Sequence, residues 1–524
     1  LAQEGPVRLF GQPATTGAPA PAPAPLSLAP TAGGGSGIVA QDLGGMNADG
    51  YGLLDYRSGD LGRDLWGGTT MDQALALIAD LPMGAPSRAM TALARRVLLS
   101  TATPPEAQGN AGALMPARAD ALFRLGLQGD LADLLGRVPD EALSPALRGR
   151  RMEARLLLGQ FDPACADAKA GAAAGSEPLF QKAQVFCQAR TGESDAAALG
   201  MDMLREMGQA DAAFLVLAER LGGLSKGKVP APKVLDPLTV TLYREAREPF
   251  AGDPLAQAEP WLDRAVALSG PAAPAQRLAG GEIAEATGAL PPDALRYMYG
   301  DTPLTPAEKA RSLESALSEN SPTARALAFQ LVQALPNTQA RGAAMAKVLE
   351  QTRATNPGLY LTQVRVYLPM LREVQVRDDA LAFGPALARA LYGAGDAKAG
   401  AAWLRFLQSK ERDDANAQAA SKTLWSMDRV ASHRVITDAL PLTDEMTRAF
   451  VPGPTIPLES LGMAVARRAT AETALLALIS LGAEGGPATA NWIIVDEVAR
   501  GLEAVGLADA AATLVLEALA VRMD

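Results

Sequence analysis

Five fragments of this chain share one layout, in which a helical stretch ends, the chain turns on Gly beside a small polar or acidic residue, and an Ala-rich helical stretch opens. They are LGLQGDLADLL from Leu125, LLGQFDPACADA from Leu157, ARTGESDAAALGM from Ala189, LYGAGDAKAGAAWL from Leu391 and AVGLADAAATLVL from Ala504. Gly supplies the left-handed residue that ends a helix, and Ala lets the next helix approach closely. With Gly129, Gly159 and Gly192 as register marks, the spacings are 30 and 33 residues, and Gly192 to Gly395 spans 203. Between such turns the apolar positions recur at helical spacing. In Met71–Leu81 (MDQALALIADL) they are Leu75, Ile78 and Leu81, and in Ala89–Leu98 (AMTALARRVL) they are Leu93, Val97 and Leu98. These are amphipathic helices that must pack on neighbours. No sustained β-branched alternation occurs, so essentially no sheet is expected.

The span of 203 residues is close to six periods of about 34, the tetratricopeptide (TPR) period, and the turn with its following small residue resembles that family. The resemblance covers about half of Leu125–Asp524, and no single repeat carries the family's full Trp-Leu-Gly-Tyr set. It implies an all-α fold, a TPR-like right-handed α-solenoid of helical hairpins.

Composition divides the chain further. From Gly11 to Gly37 the sequence is GQPATTGAPAPAPAPLSLAPTAGGGSG, an extended Pro/Ala rod with a Gly joint. Residues 1–37 are therefore expected to be a disordered N-terminal arm. Leu1–Phe10 is either a frayed terminus or a short docking peptide anchored by Val7, Leu9 and Phe10. Residues 38–70, rich in Gly, Asp and aromatics, are expected to be an irregular strap on the first helices. Helical-repeat lobes are expected over 71–223 and 238–449, separated by the Lys/Pro connector 224–237 (LSKGKVPAPKVLDP), with a C-terminal helical lobe over 450–524.

Lys+Arg 48 against Asp+Glu 58 gives a net charge of −10, which argues against nucleic acid as a partner. An apolar fraction of 48% excludes a mainly disordered chain, and no apolar run approaches the length of a membrane helix. Cys165 and Cys187 lie symmetrically about Ser176, inside the turn-like AAAGSEP, so an antiparallel helical hairpin would bring them face to face. The two readings are a disulfide and a pair of reduced core thiols. The disulfide, together with a first residue that is Leu1, implies export after removal of a signal peptide. Ala-rich composition with only 10 Lys among 48 basic residues suits a bacterial chain, and hence the periplasm.

Motifs that could carry chemistry are weak. Gly222–Lys228 (GGLSKGK) has the start of a phosphate-binding loop, but Val229 replaces the magnesium-binding Ser/Thr and Pro230 follows, so it reads as a basic connector. The Asp-rich stretch around Asp49, Asp55 and Asp60 lacks calcium-loop spacing. Glu459, Ser460, Gly462 and Met463 in PLESLGM resemble the Glu-Ser and Gly-Leu-Met elements of lytic transglycosylases, here fused at a helix start, where Ser460 or Thr455 reads as a cap. His433 is the single histidine and reads as a structural residue on or near a helix surface. Asp413/Asp414 and Asp444/Glu445 read as helix-end acids, and the five Trp residues share no spacing. No catalytic, cofactor or metal site is expected.

These features lead to the expectation of a non-enzymatic exported scaffold or adaptor, a structural component of an envelope-associated assembly that binds other proteins through a helical-repeat surface. The acidic charge favours basic partner segments. The alternative is a peptidoglycan- or glycan-binding module related to the superhelical part of lytic transglycosylases.

Overall fold

A computed structural model describes residues 48–107, 109–175, 177–434 and 436–523. Contacts divide the chain into residues 1–44 and 45–524, and the described residues belong to the second unit. The arm, with Val7, Leu9 and Phe10, lies outside them. Among the described residues the fold is all-helical, with 67% of them in helix, 26 α-helices and no strand.

The first four helices are α1 (Met71–Ala79), α2 (Arg88–Leu99), α3 (Leu114–Arg124) and α4 (Gln128–Gly136). The irregular segment before them is tied down by buried polar groups. Ala113, at the start of α3, offers no side-chain cap, so the Asp49 carboxylate accepts the Gly112 and Met115 N–H groups at 2.8 and 2.7 Å. The buried Arg118 guanidinium of α3 donates to the carbonyls of Leu98, Asp49 and Tyr51 at 2.7, 3.1 and 2.8 Å. Burial lowers its pKa to about 10. Leu65 and Trp66 are buried in the same region, and an isolated bridge joins Leu54 to Ser100.

Next come α5 (Pro145–Leu157), α6 (Phe161–Ala174), α7 (Pro178–Thr191), α8 (Ser194–Glu206) and α9 (Ala212–Leu221). From α4 to α7 each helix packs on its successor. Gly159, Gly192, Gly395 and Gly506 take left-handed φ values between 75° and 83°, as the recurring fragment predicts. Gly129 does not fit this pattern: it lies inside α4, and the turn is made by Gly126, with φ of 79°. Gly126 is also where Ala289 crowds in, since a Cβ there would stand 2.5 Å from the Ala289 Cβ. The corrected marks Gly126, Gly159 and Gly192 are spaced 33 and 33 residues.

Residues 222–236 contain no helix, and Asp236 then caps α10 (Pro237–Glu245), which packs on both α9 and α5. The middle of the chain holds α11 (Pro260–Ala267), α12 (Pro274–Ala286), α13 (Pro292–Asp301), α14 (Pro306–Lys309), α15 (Leu313–Glu319), α16 (Pro322–Gln333), α17 (Thr338–Thr355) and α18 (Pro357–Glu373). All eight open on Pro or follow a Ser or Asn cap, placing residues with preset φ or a spare acceptor where the first N–H groups have no partner. Tyr299, Phe329 and Tyr367 pack together where α13, α16 and α18 meet.

The remaining helices are α19 (Gly384–Gly393), α20 (Ala397–Lys410), α21 (Ala415–Ala431), α22 (Asp444–Ala449), α23 (Leu458–Ala466), α24 (Thr470–Gly482), α25 (Trp492–Ala504) and α26 (Ala508–Arg522). Their contacts are not confined to neighbours in chain order. The apolar α24 packs on α1 and α2, and α26 packs on α2, α18, α19 and α21.

A buried junction of charges fixes that arrangement. Arg365 of α18 makes a two-pronged bond to Glu285 of α12, at 2.7 and 3.0 Å. Arg88 of α2 donates to the Glu285 and Leu290 carbonyls at 3.1 and 2.8 Å. Glu517 of α26 accepts the Ala89 N–H at 3.2 Å and the Ser87 hydroxyl, at the start of α2. Burial holds the Arg88 pKa below its usual range, against the pull of Glu285, and raises that of Glu517. Removing one member strands a buried charge. Glu285→Ala is expected to cost about 3–5 kcal/mol in urea unfolding. Glu285→Ala/Arg365→Met should recover part of that loss, and two losses that simply add would contradict the coupling.

Candidate functional site

Cys165 and Cys187 face each other from α6 and α7 at disulfide distance, with Cα atoms 5.9 Å apart. The hairpin forms because α6 ends at Ala174 and Pro178 starts α7 three residues beyond Gly175. Beside the pair, the Phe161 and Phe186 rings pack at 5.8 Å, and Arg190 lies over Phe161 at 4.2 Å.

The other singled-out residues lie far apart. His433 lies just past α21 at φ 53°, half-exposed, with its Nε2 3.5 Å from the Asp509 carboxylate. Glu459 is exposed in the first turn of α23. Neither Ser460 nor Thr455 caps that helix: the N-cap is Pro457, which places Ser460 inside the first turn and Thr455 before it. Gly222 ends α9 and the basic loop 222–236 follows, with the Gly227 carbonyl accepting from Arg220. Asp414 caps α21 through the Ala417 N–H at 2.8 Å. Trp66, Trp261, Trp403 and Trp492 are buried, whereas Trp425 is half-exposed beneath Arg429. Among the described residues no three His, Cys, Asp or Glu side chains are grouped to hold a metal ion.

A concave feature with a distinct chemical character lies where the segment before α1 meets the loop before α3. It is a cleft of about 600 Å³ whose walls carry Asp64, Asp72 and Glu106. Trp66, Pro104 and Pro105 supply its apolar surface, and no Lys or Arg lines it among the described residues. Local bonds hold the two walls together. Asn110 donates to Asp72 at 2.7 Å, and the Thr103 N–H donates to the Arg63 carbonyl at 2.9 Å. All three carboxylates are exposed, so they present negative potential to an incoming group. Sequence reasoning missed this cleft because Glu106 and Asn110 lie some 40 residues from Asp64. The Asp-rich texture of the strap was the available signal. The acids of that stretch divide: Asp49 caps α3, and Asp55 closes its own turn on Ser58 and Arg57, which lowers its pKa, while Asp64 faces the cleft together with Asp72 of α1.

One further carboxyl is perturbed. Asp263 of α11 is buried, and its Oδ1 and the Glu259 Oε2 accept no hydrogen bond among the described residues. Burial, with Glu259 adding to it, raises the Asp263 pKa to about 7.

No protein-family model matches the chain, and neither curated proteins nor solved structures give a significant match.

The Asp263 shift makes stability depend on pH. The folded chain keeps this proton up to about pH 7, while the unfolded chain releases it near pH 4, so the stabilisation is complete below about pH 4 and lost as pH rises through about 7. Asp263→Asn is expected to raise Tm at about pH 8 and to flatten the decline between about pH 5 and 8. Thermal melts across that range check it, and identical slopes in the two proteins would contradict it.

Proposed function

We propose that the chain is a non-enzymatic, exported scaffold or adaptor, a structural component of an envelope-associated assembly that binds basic segments of other proteins. The observation that carries this reading is the acid-walled cleft of about 600 Å³, in which Asp64, Asp72 and Glu106 stand around apolar Trp and Pro surface with no lining cation among the described residues. Such a wall draws Lys- or Arg-bearing chains by electrostatic steering, while the apolar surface receives their stems. The net charge of −10 acts in the same direction.

The TPR-like right-handed solenoid belongs to the same proposal. It is supported by the two 33-residue spacings of the left-handed turns at Gly126, Gly159 and Gly192 and by the packing of each helix from α4 to α7 on its successor. Periplasmic export is supported by the Cys165–Cys187 pair, since disulfides persist in oxidising compartments. No helix among the described residues is long and apolar enough to cross a membrane.

Crosslinking the tagged chain in its native cells, followed by identification of what is captured, tests the reading. Protein partners are expected, with capture reduced about tenfold by Asp64→Asn/Asp72→Asn/Glu106→Gln and weakened by added salt. Salt-insensitive binding to isolated peptidoglycan, with no protein captured, would overturn the scaffold and favour a wall-binding module.

A further inference from the structure

α8 occupies an unusual place in the packing. Among the described residues its substantial contacts are with α7 alone, whereas α9 turns away to pack on α7 and α10. The face toward α7 is well filled: Ala197, Met201 and Leu204 are buried. Gly200 allows close approach, since a Cβ there would stand 2.6 Å from Val185 Cγ2. A second apolar row remains uncovered. Leu199, Met203 and Met207 recur every four residues, with 64%, 52% and 46% of their surface exposed. At 3.6 residues per turn they form one stripe, rotated roughly 120° from the buried one. A helix at the edge of a packed array normally turns a polar face outward.

Charge indicates what covers it. The same helical spacing places Asp195, Asp202 and Glu206, all exposed, in a row bordering the stripe. The one basic residue of the helix, Arg205, is engaged by Asp202 and by Glu219 of α9, the latter at 3.2 Å. The border is therefore negative. An anionic bilayer would be repelled by it. A second copy of this chain would bring the same acid row against itself.

We propose that the Leu199–Met203–Met207 face of α8 docks an amphipathic helical segment of a partner protein, with apolar anchors at helical spacing and Lys or Arg along its edge. The proposal rests on the protein-binding reading above and assigns it a second surface, apart from the acidic cleft. Met side chains suit this role, because their flexible thioethers adapt to the knobs of an incoming helix.

The test places photoreactive benzoylphenylalanine at position 203 of the full chain in its native cells and sequences the crosslinked peptide. A peptide made from the captured segment is then titrated against the purified chain. The expected capture is a segment with i, i+3, i+4 apolar spacing and net positive charge. Its peptide should bind at least tenfold more weakly to Leu199→Asp/Met203→Asp and several-fold more weakly to Asp195→Asn/Glu206→Gln, with unchanged far-UV circular dichroism. Capture of an acidic or extended segment, of lipid alone, or of a second copy of this chain would overturn the proposal, as would equal binding by the Leu199→Asp/Met203→Asp variant. No capture at position 203 while general crosslinking still recovers protein partners would overturn the assignment of α8 and leave the scaffold reading standing. Loss of partners in both experiments would remove both.

Discussion

The arrangement of this chain depends on a small set of buried charges. Arg88, Glu285, Arg365 and Glu517 come from α2, α12, α18 and α26, separated in sequence by up to 429 residues. Each is wholly or largely buried, and each has a partner: Arg365 grips Glu285, Arg88 reaches the carbonyls around it, and Glu517 closes the N-terminal end of α2. Burying such groups is costly and the compensation is geometric, so the junction acts more as a specifier of arrangement than as a source of stability. Alternative stackings of Ala- and Leu-rich helices are close in energy, because one small apolar face fits another about equally well. A stacking that left any of these four groups unpaired would not be.

The same division explains what could be read in the sequence. Helix against strand was legible from apolar spacing and the lack of β-branched alternation. The Gly-turn fragments were legible too, since only glycine readily takes the left-handed φ observed at Gly159, Gly192, Gly395 and Gly506. Register was harder. LGLQGDLADLL holds two glycines, and the one that turns is Gly126, where Ala289 of a distant segment leaves no room for a side chain. The approach of Cys165 to Cys187 was legible because it is local to one hairpin.

The packing of α24 and α26 on the first helices was not legible. Glu285 and Glu517 sit in Ala-rich helices and Arg365 in one rich in Leu and Val, where isolated charges ordinarily face water, and nothing nearby marks them as partners. The acidic cleft was half legible: Asp64 stands in a visibly Asp-rich strap and Asp72 just beyond it in the first turn of α1, but Glu106 reaches them only through the fold. The α8 stripe illustrates a different limit. Leu199, Met203 and Met207 look like core in the sequence, and their exposure, with no substantial packing of α8 beyond α7 among the described residues, shows them to be surface.

Together these features describe a helical body with an acid-walled cleft at its N-terminal strap and an apolar, acid-bordered helix at an exposed edge. The charge junction joins the first and last helices into one cooperative structure. Native-state hydrogen exchange as a function of denaturant measures this directly. The most protected amides of α2, α12, α18 and α26 should exchange through one shared opening, with the same free energy and denaturant dependence. If those of α26 exchanged through a separate opening of lower energy while α2 and α12 stayed protected, the junction would not be what holds the chain together.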